Sequence, residues 1–144
     1  MSQKVNVELV RQRAREIRES LDKIRTYTAQ SDADFFADER NLYTVMHLLL
    51  ICIEAVAAIC NHLLAKTARE APASYAECFE GLQHLNILDE SLQNRLIHMA
   101  RFRNILVHRY WQIEPARVLR YARENLDDFE HYLYQIGQFV GQQL

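Results

Sequence analysis

The 144-residue sequence contains few residues that interrupt helices, with only two prolines and three glycines. Sheets with many tight turns need glycine and proline, so the composition argues against them. Leucine, alanine, arginine, glutamate and glutamine, most of which favour helices, are abundant instead. Hydrophobic residues make up 49% of the chain, which is enough for a sizeable core at this length. We therefore expect an all-α fold in a single domain that spans residues 1–144.

Cysteine is also scarce, since Cys52, Cys60 and Cys78 are the only three and none belongs to a C-x-x-C pair. An odd number without close spacing is typical of buried free thiols in a reducing compartment, and not of disulfides or a zinc site. The sequence has no H-E-x-x-H motif, no clustered acidic set of the magnesium-binding type and no glycine-rich phosphate loop. We expect no metal and no cofactor.

No apolar stretch of the signal-peptide kind lies near the N-terminus, so we expect a cytoplasmic protein. One run, residues 42–65, is long and apolar enough to raise the question of a membrane span. However, Glu54 lies in its middle, and a charge at that depth of a bilayer is costly. The central helix of a bundle or of a dimer interface is the simpler interpretation, and we expect no membrane partner.

The hydrophobic periodicity predicts five helices, over about 4–29, 34–66, 74–86, 90–108 and 115–141. Ser74 and Glu77 have the S-x-x-E spacing of a capping box, which starts the third helix. Asp89 caps the fourth, and Pro115 suits the first turn of the fifth. Because the connections are short, we expect an antiparallel helical bundle.

The fourth helix carries an arginine where an apolar residue is expected. Arg103 lies at the centre of an apolar arc formed by Leu92, Leu96, Met99, Ala100, Leu106 and Val107. A guanidinium cannot stay unpaired in a core, so it must reach a carboxylate, a cleft or an anionic ligand. An ion pair with Glu54 is as good an explanation as a functional site, and the helical pattern leaves both open.

His108 follows Arg103 by five residues, which is about 140° further round a helix. One helix cannot easily aim both side chains at one point. The conflict is eased if the helix ends near Val107, or if two copies of the helix meet across a twofold axis and share a cleft. We favour the arrangement with two copies, because the second predicted helix is too apolar for a small bundle that stays alone. Taken alone, His108 is explained as well by capping of the helix C-terminus, and Tyr110 and Trp111 by packing under the next loop.

The charge is unevenly distributed. The net charge of the chain is −2, but residues 95–123 contain seven arginines and one acid, Glu114, and carry a net charge of +6. Such a stretch attracts a polyanion. Arginine is also common on the solvated faces of helices, so charge alone does not decide between these interpretations.

The string Arg103-Asn104-Ile105-Leu106-Val107-His108-Arg109-Tyr110 has the form R-N-x-x-x-H-x-Y. It resembles the R-x4-H-x-Y motif of HepT-like proteins in the HEPN superfamily of helical ribonucleases. The flanking ARFRNILVHRYWQIEP, the ADERNLYTV that precedes the apolar helix, and PASYAECFEGL are similar to that family in the same order. The resemblance covers about residues 5–140 and has no departure at the motif positions.

The resemblance implies a homodimer in which the two motifs face each other and cleave RNA without a metal ion. It implies catalytic roles for Arg103 and His108, and we assign Asn104 a supporting role. Histidine titrates near neutrality and suits a general base or acid, while a forked, permanent cation suits a phosphate. We therefore expect products that end in 2′,3′-cyclic phosphate. The family also implies a neighbouring MntA-like nucleotidyltransferase antitoxin, as in type VII toxin–antitoxin systems, that silences the toxin by AMPylation of Tyr110.

Two other functions remain open at this point. A HEPN-like module could bind the nucleotidyltransferase without cutting RNA, and its fold would be the same. A helical regulator or structural protein with no nucleic-acid partner would leave the basic stretch a coincidence, and RNA affinity would be absent even at low salt.

Overall fold

A computed structural model describes residues 4–144, and within them the chain is helical with no strand. This part of the chain contains seven α-helices. In chain order they are α1 Val7–Thr28, α2 Asp32–Ala37, α3 Glu39–Thr67, α4 Tyr75–His84, α5 Glu90–His108, α6 Pro115–Glu124 and α7 Asp127–Val140. A short 3-10 helix, Tyr110–Gln112, joins α5 to α6. The all-α prediction is confirmed, and residues 1–3 lie outside the described part.

The helices begin where the sequence supplies capping side chains. Ser74 Oγ accepts the N–H of Glu77 at 3.1 Å, and the Glu77 carboxylate accepts the N–H of Ala73 at 2.8 Å. Asp89 accepts the N–H of Leu92 at 2.7 Å. Each contact satisfies a backbone donor that has no partner within its helix. The predicted starts of α4 and α5 are therefore correct.

Two predicted helices are each divided in two. The expected helix over 34–66 is interrupted at Asp38, whose backbone is extended with φ −126° and ψ 108°. The Asp38 carboxylate accepts the N–H of Arg40 at 3.0 Å and so caps α3. The expected helix over 115–141 is interrupted at Asn125 and Leu126, between α6 and α7. The bundle thus has seven helices instead of five.

Helix α3 is the centre of the bundle and contacts all six other helices. Its fully buried residues include Leu49, Val56, Ile59 and Leu63. It is the one helix of the described residues that is long and apolar enough to cross a membrane, and 61% of its most apolar stretch is buried within the protein. Across the core, the buried Tyr132 Oη on α7 donates to the Val56 carbonyl at 2.8 Å. The apolar run is used as the core helix of this bundle.

The expectation of three free thiols is wrong for two cysteines. Cys60 on α3 and Cys78 on α4 form a disulfide, with their Cα atoms 6.1 Å apart. The two cysteines are 18 residues apart on consecutive helices, so no C-x-x-C spacing indicates the pairing. Cys52 is free and buried, as expected. Burial raises the pKa of the Cys52 thiol to about 12, because a thiolate is poorly solvated there.

A glycine allows α4 to lie close against α3. A Cβ atom added to Gly81 would lie 2.9 Å from Cδ2 of Leu64, which is fully buried. That distance is shorter than van der Waals contact between carbons. A larger residue at 81 would therefore require the buried Leu64 side chain or α4 to shift.

A histidine of α3 holds the start of α1. His62 Nε2 accepts the backbone N–H of Asn6, the N-cap residue of α1, at 2.9 Å. Only an unprotonated ring nitrogen accepts such a bond. Burial, together with the nearby Lys66, lowers the pKa of His62, so the ring stays neutral at physiological pH.

Candidate active site

Arg103 lies on α5 in the apolar surroundings that its place in the sequence indicated. Met99, Ala100 and Leu106 on the same helix are buried, and the Arg103 side chain is 22% exposed. A charged group so placed needs fixed partners. The structure supplies them from two other helices.

Glu54 and Tyr75 hold the guanidinium. Arg103 Nε donates to Oε1 of Glu54 on α3 at 3.1 Å. The Tyr75 hydroxyl on α4 donates to the same carboxylate at 2.9 Å, and the Arg103 guanidinium carbon lies 5.1 Å from the centre of the Tyr75 ring. The ion pair with Glu54 that the sequence left open is therefore present within one chain. Three helices converge on one guanidinium.

This ion pair does not enclose the charge. The Glu54 side chain is 46% exposed, so the pair is in contact with solvent. Arg103 Nη1 also donates to Oδ1 of the adjacent Asn104 at 3.3 Å. The protein thus orients the guanidinium, while the ion pair as a whole stays open to solvent.

Tyr75 was not expected from the sequence. Burial first, and then the hydrogen bond to Glu54, raises the pKa of the Tyr75 phenol, so it remains a donor at neutral pH. The capping box at Ser74 and Glu77 predicts where α4 begins and hence that Tyr75 occupies its first position. No local signal indicates that α4 docks against Glu54.

A cleft of about 450 Å³ opens beside Arg103. It lies between the start of α4, one face of α5 and Asn61 of α3, and Arg103 and Asn104 line one end. Two of the predicted site residues therefore share one cleft and contact each other. A positioned cation at the end of an open cleft is suited to bind an anion.

His108 is the last residue of α5 and is exposed. Within residues 4–144 it makes no hydrogen bond, and it does not line the cleft beside Arg103. The helix continues through His108 and ends as the N–H of Arg109 donates to the Ile105 carbonyl at 3.0 Å. The helix does not end before His108, so the first of the two explanations offered from the sequence does not apply. Within one chain, His108 does not reach the cleft that Arg103 lines.

Tyr110 and Trp111 follow α5 on the 3-10 helix and are 59% and 67% exposed. Their rings meet edge to face, with centroids 5.3 Å apart. Since α5 ends at His108, Tyr110 does not continue the helical face of Arg103. Neither ring packs under the following loop as the structural interpretation of these aromatics required.

The basic stretch is partly neutralised. Arg95 pairs with Asp128 at 3.2 Å, and Arg123 pairs with Asp32. Arg117 lies over the ring of Phe102, 5.7 Å from its centre. No acidic partner exists among residues 4–144 for the exposed Arg101, Arg109 and Arg120. In the same range, no group of three His, Cys, Asp or Glu side chains is placed to hold a metal ion.

Known proteins similar to this chain belong to the family that the motif indicated. Residues 17–136 match the family described as ribonuclease HepT-like. The chain is 30% identical over 82 residues to the mRNA nuclease HepT of Shewanella oneidensis, a match that spans 57% of this chain and 62%, less than two thirds, of that protein. It is 25% identical over 120 residues to the tRNA nuclease HepT of Aphanizomenon flos-aquae, across 83% of this chain and 82% of the relative.

The fold is shared as well. A tri-AMPylated Shewanella oneidensis HEPN toxin, solved in complex with an MNT antitoxin, superposes with a TM-score of 0.83 at 25% identity. The superposition covers 90% of this chain and 97% of that one. The matched residues include all of α3, α4, α5 and α6 and the whole R-x4-H-x-Y segment. The chain belongs to the ribonuclease HepT-like family of the HEPN superfamily.

Proposed function

We propose that this protein is the toxin of a HepT and MntA-like toxin–antitoxin pair and that it is a metal-independent endoribonuclease. The observation that carries the proposal is the guanidinium of Arg103, held by Glu54 and Tyr75 and open to an anion in the adjacent cleft. The nuclease names of two relatives support it. RNA is the substrate, and the cytoplasm is the compartment in which this chain would meet it.

The catalytic site is composite and needs a homodimer. Within one chain His108 lies outside the Arg103 cleft, so a second copy is the source of the missing histidine. The surface beside Glu54 suits such a contact, because Leu50, Ile51 and Ala58 of α3 are only partly covered. Two α5 helices that cross there bring two copies of Arg103 and His108 to one cleft.

The reaction is an internal transesterification. One His108 accepts the proton of a ribose 2′-hydroxyl, and the 2′-oxygen attacks the adjacent phosphorus. Arg103 stabilises the charge that develops on the phosphate oxygens. The bond from phosphorus to the 5′-oxygen breaks, and the second His108 donates a proton to that leaving oxygen. The products are a 2′,3′-cyclic phosphate and a 5′-hydroxyl. Asn104 supports Arg103 through its contact with Nη1.

The test compares Arg103→Ala and His108→Ala with His98→Ala, a substitution of an exposed histidine on the same helix away from the cleft. In the presence of a chelator, wild type and His98→Ala should cut RNA and leave cyclic phosphate ends, while the other two variants are inactive. Light scattering should give the mass of a dimer for all four proteins. Cleavage that persists in His108→Ala, or hydroxyl or unmodified phosphate 3′ ends, would contradict the mechanism.

We further propose that an MntA-like nucleotidyltransferase silences this toxin by AMPylation of Tyr110. Tyr110 is exposed directly after α5, so an enzyme can reach its hydroxyl. The added phosphates are anionic and would occupy the place of the RNA phosphate near Arg103. Co-expression with the neighbouring gene should raise the intact mass by whole AMP units in wild type and not in Tyr110→Phe. An inhibited but unmodified wild-type toxin would refute the assignment.

A non-catalytic module that binds the nucleotidyltransferase is the second candidate. It is favoured by the Arg103–Glu54 ion pair, which a purely structural arginine would also form. If this is the function, wild type binds the partner but cuts no RNA under any condition in which it is a folded dimer.

A further inference from the structure

The cleft beside Arg103 extends well beyond the space that a phosphate needs. Its far side is formed by Pro72 to Ala76 at the start of α4 and by Asn61 of α3, and α5 forms its floor. A volume of about 450 Å³ is within the range of small-molecule sites. In RNA, one ribose joins each phosphate to a base. A phosphate at Arg103 therefore brings one nucleobase within reach of this cleft.

Part of the lining of the cleft is apolar. The buried Ala100 and the half-buried Ile97 of α5 line it, together with Pro72 before α4. A flat aromatic ring is suited to these apolar residues, because its faces are apolar while its polar atoms lie at the edge. The chemistry of the rim then decides which ring edge fits.

The rim offers donors. The Arg101 guanidinium has no acidic or hydrogen-bond partner among residues 4–144 and is exposed at the cleft. Ser74 Oγ accepts the Glu77 N–H, which leaves its own hydrogen to donate. Asn61 has an exposed side-chain amide at the same rim. The Arg101 guanidinium can only donate, and the Ser74 hydroxyl has a hydrogen left to donate. The Asn61 amide has two N–H donors as well as an acceptor oxygen.

We propose that this cleft is a nucleobase subsite that selects a base with carbonyl oxygens at its edge, uracil or guanine, over adenine. Adenine places an amino group where those bases place a carbonyl, and the amino group would face donors. Asn61 and Arg101 are the specificity-determining residues. The inference rests on the proposed function only in assigning the base to the nucleotide next to the cleaved phosphate.

Binding tests the subsite without cleavage. Uridine 3′-monophosphate and adenosine 3′-monophosphate are titrated into ¹⁵N-labelled wild-type protein. The uridine compound should shift the amide signals of residues 73–76 and 97–104 and bind about fivefold to tenfold more tightly, as expected for one or two better hydrogen bonds. Asn61→Ala and Arg101→Ala should abolish the difference, and Arg120→Ala, an exposed arginine outside the cleft, should keep it. Equal affinities, or shifts confined to residues near Arg103, overturn the subsite.

Cleavage tests the assignment to the substrate. On an RNA of mixed sequence, wild type should cut next to uridine or guanosine, and Asn61→Ala and Arg101→Ala should cut with that preference lost. A preference unchanged in both variants overturns the specificity role. If wild type cuts nothing, the proposed function fails, while the nucleotide titration still decides the subsite. Asn61→Asp and Arg101→Gln, which change donors while nearly keeping shape, replace any alanine variant whose circular dichroism shows loss of the fold.

Discussion

Arg103→Lys separates the charge of the arginine from its shape. Lysine keeps the positive charge, but its single nitrogen cannot reproduce the contacts of Nε with Glu54 and of Nη1 with Asn104 while also binding a phosphate. If charge alone stabilises the transition state, the variant should be nearly as active as wild type. If the oriented fork matters, activity should fall although the charge is unchanged.

The expected size of the effect follows from these contacts. A hydrogen bond to a charged group contributes about 1.5–3 kcal/mol, and each 1.36 kcal/mol is roughly a factor of ten in rate. The loss of one well-placed bond to the phosphate therefore lowers kcat/KM roughly 10-fold to 160-fold. Stability should change by about 1 kcal/mol or less, because Glu54 is half-exposed and solvent screens the pair.

The assay is multiple-turnover cleavage of a fluorogenic RNA, accompanied by thermal unfolding. Arg103→Ala should be less active than Arg103→Lys, and Arg120→Lys, at an exposed position outside the cleft, should be equal to wild type. If the activity of Arg103→Lys stays within about twofold of wild type, a change of about 0.4 kcal/mol in the barrier, the argument from orientation is refuted.

A second substitution shows whether Glu54 is the positioning partner. Glu54→Gln should lower activity in the wild-type background, because the carboxylate no longer fixes Nε. In the Arg103→Lys background the same change should have little further effect, since that contact is already lost. Additive losses in the double variant would mean that the two residues act independently.

Three further outcomes follow from the fold. Tyr132→Phe removes the buried hydrogen bond to the Val56 carbonyl and should lower the free energy of unfolding by about 1 kcal/mol, or the Tm by about 2–4 °C; an unchanged Tm would contradict it. Cys52, with its pKa raised to about 12, should resist Ellman's reagent at about pH 8 until the protein unfolds, because the thiolate is the reactive form; rapid labelling of folded protein would refute this burial. His62 has a lowered pKa, so its contribution to stability is complete above its ordinary value of 6.5 and is lost as the pH falls through the pKa of the folded state. In His62→Gln the amide oxygen accepts the hydrogen bond at any pH, so this variant should lose less Tm on acidification than wild type. An equal loss of Tm would exclude this histidine as the cause.

The positions of the main helices follow from local patterns. Hydrophobic periodicity and the caps at Ser74 and Asp89 act within a few residues, so they are visible in the sequence. The breaks at Asp38 and Asn125 are not, since neither position has the glycine or proline that usually marks one. The Asp38 carboxylate caps α3 at the first break, but an aspartate inside an otherwise helical pattern does not by itself mark a helix end.

Some residues of the candidate site can likewise be predicted from local sequence patterns, while others depend on how the helices pack. The anomalous place of Arg103 on an apolar arc is a local property, and Glu54 is a foreseeable partner because it is a lone charge in an apolar run. Tyr75 and the Cys60–Cys78 disulfide both depend on how α4 docks against α3, which no spacing along the chain encodes. His108 does not line the Arg103 cleft within one chain, and the proposed mechanism therefore takes the histidine from a second copy.

The bare backbone at Gly81 has an effect on chemistry that takes place elsewhere. A larger residue there meets the buried side chain of Leu64; wherever that side chain does not yield, α4 moves outward and Tyr75, nearer the start of the same helix, moves with it. The Tyr75 phenol would then lose its hydrogen bond to Glu54, and Arg103 would lose one of the two residues that position its guanidinium. A random screen for inactive variants should accordingly return changes at residue 81, which does not line the cleft beside Arg103.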